Sequence, residues 1–154
     1  MILKNNLLLE NIFVNLDIKD RWQLIDYVIS SGVRNGYIEK SIEEVIKNAL
    51  IEREKTMSTG IGNCIAVPHC RCNCVEDIKI FLCISKDGIE FDSLDGTPAK
   101  VVVFLIVPES KQAGHINNLA MIARLFMNND FKNNLILQEN PVNVLEFLKT
   151  SIKD

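Results

Sequence analysis

The stretch Ala99-Lys-Val-Val-Val-Phe-Leu-Ile-Val107 constrains the fold more than any other part of the chain. Lys100 is its only polar member, so the segment has no face to turn to water and must be covered on both sides. Pro108 stops it. From Val101 to Val107 the unbroken apolar run is seven residues, whereas a helix needs about 20 to cross a bilayer. A central strand covered on both faces needs helices in front and behind, and the flanking sequence supplies them.

On the N-terminal side, Ile12, Val14 and Leu16 alternate at the period of a half-buried strand. From Asp20 the period changes: Trp22, Ile25, Val28 and Ile29 share a helical face, with Gly32 or Gly36 to end it. Ser41-x-x-Glu44 has the form of a capping box. Ile42, Val45, Ile46, Ala49 and Leu50 follow as an amphipathic face that delivers Glu52, Arg53 and Glu54 at the helix end. Two further strands are expected, at Cys64 to Val67 and Ile78 to Ile84. Asp87-Gly88 and Asp95-Gly96 mark turns. Beyond Pro108, Ile116, Leu119, Ala120, Ala123 and Met127 form one helical face, widened by Ile122 and Phe126. Shorter helices are expected around Phe131 to Leu137 and Val142 to Leu148. The expected fold is an α/β three-layer α/β/α sandwich on a mixed sheet of four to five strands, a single domain over residues 1–154.

With 154 residues, 17 Lys and Arg against 20 Asp and Glu, the chain carries a net charge of −3. A nucleic-acid binder needs a basic footprint, and none is present. The first thirty residues carry Asp17, Asp20 and Asp26 among the apolar positions, and no basic start leading into an apolar stretch and cleavage site, so no signal peptide is expected. The five cysteines are an odd count, and Cys70, Cys72 and Cys74 alternate too closely for the usual disulfide separations. Free thiols in a reducing cytoplasm are therefore expected.

The chemistry concentrates between Arg53 and His69. Gly60 and Gly62 allow backbone shapes other residues resist, and Ser58, Thr59 and Asn63 place short polar groups beside them. A strand then runs into Pro68, leaving His69 outside the strand end, where α/β sheets bind ligands. A neutral imidazole is a good nucleophile near pH 7. Arg53 can neutralise transferring phosphoryl oxygens with paired N–H donors. Ser58, Thr59 and Gly60 are the candidate phosphate contacts. His115 opens a helix, where unpaired N–H groups favour an anion, and can serve a phosphoryl group on His69 where the fold brings the two together. Singly, each has a plainer reading: a satisfied surface histidine, a helix-start residue, a solvated helix-end cation. Arg71 and Arg124 are read in that plain way. Gly60-x-Gly62 lacks the third glycine of a dinucleotide fingerprint and the lysine of a phosphate loop.

In combination these residues resemble the enzyme IIA domain of the phosphoenolpyruvate-dependent sugar phosphotransferase system, of the mannitol/fructose type that includes the nitrogen-regulatory IIA proteins. The resemblance rests on Arg53-Glu54, Ser58-Thr59-Gly60-Ile61-Gly62, Ile65-Ala66-Val67-Pro68-His69, Phe91-Asp92-Ser93-Leu94-Asp95-Gly96, Val107-Pro108-Glu109, and His115 followed by Leu119-Ala120. It extends over roughly residues 7 to 149. It implies a phosphocarrier whose His69 is loaded by the phosphocarrier HPr and discharged onto a IIB domain or a regulatory target, with His115 and Arg53 supporting the phosphorylated state. It implies no metal and no organic cofactor, since the donor already carries an activated phosphoryl group. Cys64 and Cys70 stand where the family usually has glycine. The Ser-Thr-Gly-Ile-Gly-Asn and Val-Pro-Glu segments, without a fused IIB or IIC segment, look more like the nitrogen-regulatory type than a fructose or mannitol transporter subunit.

Two readings from other classes stand beside this one. Zinc or thiol chemistry at His69, Cys70, Cys72 and Cys74 would use proper ligand types, but one-residue gaps in an extended stretch are a poor source of a tetrahedral site. A binding protein that never carries phosphate would be indifferent to loss of His69. For the phosphocarrier, Phe91, Ile61 and Met57 are the expected apolar docking rim.

Overall fold

The computed structural model describes residues 1–153, with the side chains of all of these except residues 111–116. The chain opens with a short helix, α1 (Ile2–Asn6), and a first strand, β1 (Ile12–Phe13). Helices α2 (Arg21–Arg34) and α3 (Glu43–Thr56) follow. Next come three short strands, β2 (Gly60–Gly62), β3 (Ile65–Ala66) and β4 (His69–Cys72), and two long ones, β5 (Lys79–Ile89) and β6 (Ala99–Pro108). Helices α4 (Gln112–Met127), α5 (Asn129–Ile136) and α6 (Pro141–Ser151) end the chain.

All six strands join one mixed sheet. β6 is central, as its composition demands. β5 runs antiparallel along one edge of it, while β3 and β4 run parallel along the other, Ile65 against Val101 and His69 against Leu105. β3 and β4 thus lie end to end beside β6, interrupted at Val67-Pro68. β1 pairs in parallel with β5, and β2 folds back antiparallel on β3. The sheet exceeds the expected four to five strands because β2 and β4 are short and carry Gly or Arg71, so neither shows an apolar run.

The alternation of side chains along a strand divides the core in two. Val102, Phe104 and Ile106 of β6, with Phe81 and Cys83 of β5, pack under Leu24, Ile25, Val28, Ile29, Ile46 and Leu50 of α2 and α3. Val101, Val103, Leu105 and Val107, with Ile80, Leu82 and Ile84, pack against Leu3, Ile122, Phe126, Leu135, Val144 and Leu148 of the other helices. The result is the three-layer α/β/α sandwich that the sequence pattern implied. Among the described residues no helix is long and apolar enough to cross a membrane.

Several local expectations need correcting. Asp20 does cap α2, its carboxylate accepting the Gln23 amide at 2.9 Å, but Trp22 is exposed and Leu24 takes its place in the core. The Ser41–Glu44 capping box does not form. Residues 40–42 make a 3-10 turn and α3 starts at Glu43, with Ile42 as an N-cap lacking any side-chain bond. That register turns Ile46, Leu50 and Glu54 inward and leaves Val45 exposed. Glu43 is instead tied to Lys40 at 2.7 Å and Lys47 at 3.4 Å. Asp87-Gly88 is no chain reversal but an irregularity inside β5, where pairing with β6 shifts between Ile84 and Ile89 and Gly88 adopts φ +88°. In α4 the residues that reach the core are Ile122 and Phe126, with Leu119 at its margin.

Candidate functional site

Pro68 sets the geometry at His69. It separates β3 from β4, so the Val67 carbonyl is released from the ladder while the Val67 amide still donates to the Thr59 carbonyl at 3.0 Å. The freed carbonyl lies 2.8 Å from His69 Nδ1. A carbonyl only accepts, so Nδ1 carries the proton and the neutral ring presents its lone pair at Nε2. Burial is the largest influence on this imidazole and holds it below its ordinary pKa. The Val67 carbonyl and Glu54 oppose that shift, and Arg53 and Arg71 reinforce it. The neutral, nucleophilic form therefore prevails at pH 7.

His69 shares a pocket of about 220 Å³ with Ala49, Arg53, Cys70 and Arg71. Two of the expected residues, His69 from β4 and Arg53 from the end of α3, are thus brought together. Arg53 Nη1 also donates to the Met57 carbonyl at 2.8 Å, tying the guanidinium to the end of its own helix. Arg71, exposed as its plain reading has it, also lines this pocket. The signal for it was available: on a strand, residues two apart share a face, and His69-x-Arg71 lies on β4, with Cys70 and Cys72 turned into the core.

The loop before β2 is held from beneath by a buried carboxylate. Glu54, only 2% exposed, accepts the Thr59 amide at 3.0 Å, the Thr59 hydroxyl at 2.6 Å and Arg21 Nη1 at 3.1 Å. Arg21 also donates to the Phe91 carbonyl at 2.9 Å. The Ser58 hydroxyl donates to that same carbonyl and accepts the Gly60 amide. Ser58, Thr59 and Gly60 therefore spend these groups on shaping the loop. Farther along, Asp95 accepts the Asn63 amide at 2.8 Å and both the amide and hydroxyl of Thr97. These bonds, the Asn63 amide first, lower its carboxyl pKa to about 2.

The cysteines differ from expectation. Cys72 and Cys74 form a disulfide, with Cα atoms 5.1 Å apart. The chain leaves β4 in a turn at Asn73-Cys74, which brings together two sulfurs that an extended backbone would hold apart. Cys70 is buried, which pushes its thiol pKa to about 12. Among the described residues no group of three His, Cys, Asp or Glu side chains is placed to hold a metal. Cys72 and Cys74 are bonded to each other, which leaves the zinc reading without its ligand set. Phe91 is 0% exposed and cannot belong to a docking rim; Met57 is 64% exposed, Ile61 half-buried, and Leu94, beside Gly60, 82% exposed. The His115 side chain lies outside the described residues.

Residues 6–151 match the family described as phosphoenolpyruvate-dependent sugar phosphotransferase system, EIIA 2. The nitrogen regulatory protein of Pseudomonas aeruginosa is 38% identical over 108 residues, covering 70% of this chain and 69% of that protein. The fructose-specific EIIABC component of Bacillus subtilis is 28% identical over 135 residues, 88% of this chain but only 21% of that longer protein. The crystal structure of nitrogen regulatory protein IIA-Ntr from Neisseria meningitidis superposes with a TM-score of 0.85 at 23% identity, covering 96% of this chain and 99% of that one. The chain belongs to the EIIA type 2 family of the phosphoenolpyruvate-dependent sugar phosphotransferase system and is a phosphoryl-carrying component of that system.

Proposed function

We propose that His69 is the phosphoacceptor and that its Nε2 attacks the phosphohistidine of HPr. The bond between Nδ1–H and the Val67 carbonyl carries this reading, because it leaves Nε2 as the free lone pair in a neutral ring. As Nε2–P forms, the donor's P–N bond breaks, and the donor imidazole keeps the electron pair. Arg53 and Arg71, in the same pocket, would balance the charge on the phosphoryl oxygens. Phosphoryl transfer asks chiefly for such positioning and charge stabilisation. His115 is assigned, from the sequence, to hold a phosphoryl oxygen. Ser58, Thr59 and Gly60, the phosphate contacts expected from the sequence, act through the adjoining loop, whose shape their hydrogen bonds hold.

Exposed Met57 and Leu94 offer HPr and the acceptor an apolar rim. The higher identity to a nitrogen regulatory protein favours a regulatory role, in which the phosphorylation state of His69 is read by target proteins in the cytosol. A fructose- or mannitol-type role, passing phosphate to a IIB domain, is the second reading, favoured by the longer alignment to a fructose-specific component. Purified enzyme I, HPr and phosphoenolpyruvate test the common core: one acid-labile phosphoryl group per chain is expected, and none after His69→Ala. Transfer onward to an isolated IIB domain separates the two roles.

A further inference from the structure

The Cys72–Cys74 bridge closes a loop with one residue between its ends. Cross-links stabilise a fold mainly by shortening a long unfolded loop, so a bridge this short contributes little as a staple. It is also reachable. Half-buried Cys74 lines a cleft of about 380 Å³ with Tyr37, Glu39, Glu76, Asp77 and Lys79, large enough to admit a small thiol. The other cysteines do not compete for it. Cys70 and Cys83 are buried with their thiols pushed up by desolvation, Cys70 to about 12, and Cys64 lies before β3, at the far end of the β3–β4 edge. Accessible bridges of this kind are the ones that exchange.

The bridge also terminates the strand that carries His69. Cys72 sits opposite Pro108, which has no amide to hold the end of the ladder. Arg71 stands between the bridge and His69 on β4.

We propose that Cys72 and Cys74 are a reversible dithiol–disulfide pair, served through this cleft by low-molecular-weight thiols, whose state sets the rate at which His69 accepts a phosphoryl group. The thiolate of one small thiol attacks Cys74 Sγ, the S–S bond breaks, and Cys72 leaves as a thiolate that takes a proton. A second small thiol attacks the sulfur of the mixed disulfide and releases Cys74 as its thiol. Two thiols become one small disulfide, and two electrons pass to the protein. Oxidation by a small-molecule disulfide runs the same steps backwards. In the reduced form the turn after β4 is free, its outer pairing frays and Arg71 loses its fixed position. The rate effect rests on the phosphoacceptor reading of His69; the exchange itself does not.

The whole chain is equilibrated with glutathione disulfide or with dithiothreitol, denatured, alkylated and digested with trypsin. After oxidation the peptide Cys72–Lys79 should carry no alkyl group and be lighter than the reduced peptide by two hydrogens, while the other three cysteines are labelled. Dithiothreitol should expose both thiols. Phosphorylation by HPr should be faster in the oxidised form by about threefold or more, the size of one backbone hydrogen bond, and Cys74→Ser should show the slow rate in both buffers. Two alkyl groups on that peptide after oxidation would overturn the redox pair. Equal rates in the two states would overturn the coupling alone. Absence of phosphorylation in both states would remove the phosphoacceptor reading and the coupling with it, leaving the peptide masses to decide the pair.

Discussion

Arg21 and Glu54, 33 positions apart in sequence, meet at 3.1 Å beneath the loop that leads to His69. The carboxylate is almost wholly enclosed and the guanidinium is 17% exposed. Together they bind the Thr59 amide and hydroxyl and the Phe91 carbonyl. Removing one partner of such a pair strands the other charge. Glu54→Ala should lower stability in urea unfolding by about 3 kcal/mol, and Glu54→Gln, which still accepts a hydrogen bond, by less. Equal and small losses for both would mean that the pair does not hold the loop.

Arg53 and Arg71 flank His69 from different elements. Loss of a donor aimed at developing charge typically costs about a hundredfold in rate. Arg53→Gln should slow phosphoryl acceptance by about that factor, with Arg53→Lys intermediate because it keeps the charge without the paired donors. Arg71→Ala should slow it by about tenfold, one charge-assisted hydrogen bond. Stopped-flow mixing with phospho-HPr measures both; an unchanged Arg53→Gln rate would return that residue to its helix-capping bond with Met57.

The pH profile follows from the environment of His69. Its folded pKa lies below the free value of about 6.5, mainly through burial. The acceptor rate should therefore stay level as pH falls past the free value and drop only below it. The stability linkage has the same sign: below about 6.5 the unfolded chain takes up a proton that folded His69 resists, so this residue subtracts stability on acidification. A ¹³C or ¹⁵N titration of the imidazole reads the pKa directly, and a value above that of a free histidine would contradict the account.

Gly62 and Asp95 test the loop from the other side. Gly62 has φ +93°, and a Cβ there would stand 2.9 Å from Asp95 Oδ2. Gly62→Ala should cost about 1–2 kcal/mol for the left-handed backbone alone. Asp95 has its pKa lowered to about 2 by the Asn63 and Thr97 bonds, so its contribution is complete above the unfolded carboxyl value and is lost as pH falls through about 2. Asp95→Asn should remove that acid dependence, visible as a shallower loss of Asn63 amide protection as pH falls from about 4 to about 2.

The parts of the molecule written in contiguous residues were readable in advance. β6 declared itself through an apolar run with one lysine, and the two-faced core followed from it. His69 and Arg53 were found because a strand end and a helix end carry local signatures. The capping box misled because Ser41 belongs to a 3-10 turn and α3 begins later, which no motif reveals. Phe91 looked like a surface residue within a polar loop sequence, yet its carbonyl receives Arg21 and Ser58 and its ring is enclosed. Glu54's partners come from α2 and the next loop, so the buried pair had no sequence trace. The Cys72–Cys74 bridge depends on a turn that alternation alone predicts as extended.

Mapping the phosphoryl group tests the central claim most directly. After reaction with phosphoenolpyruvate, enzyme I and HPr, ³¹P–¹H NMR and peptide mapping should place a single acid-labile group on His69 Nε2, with His69→Ala unlabelled. A full label on that variant, or a phosphoryl group at His69 Nδ1, would contradict the account.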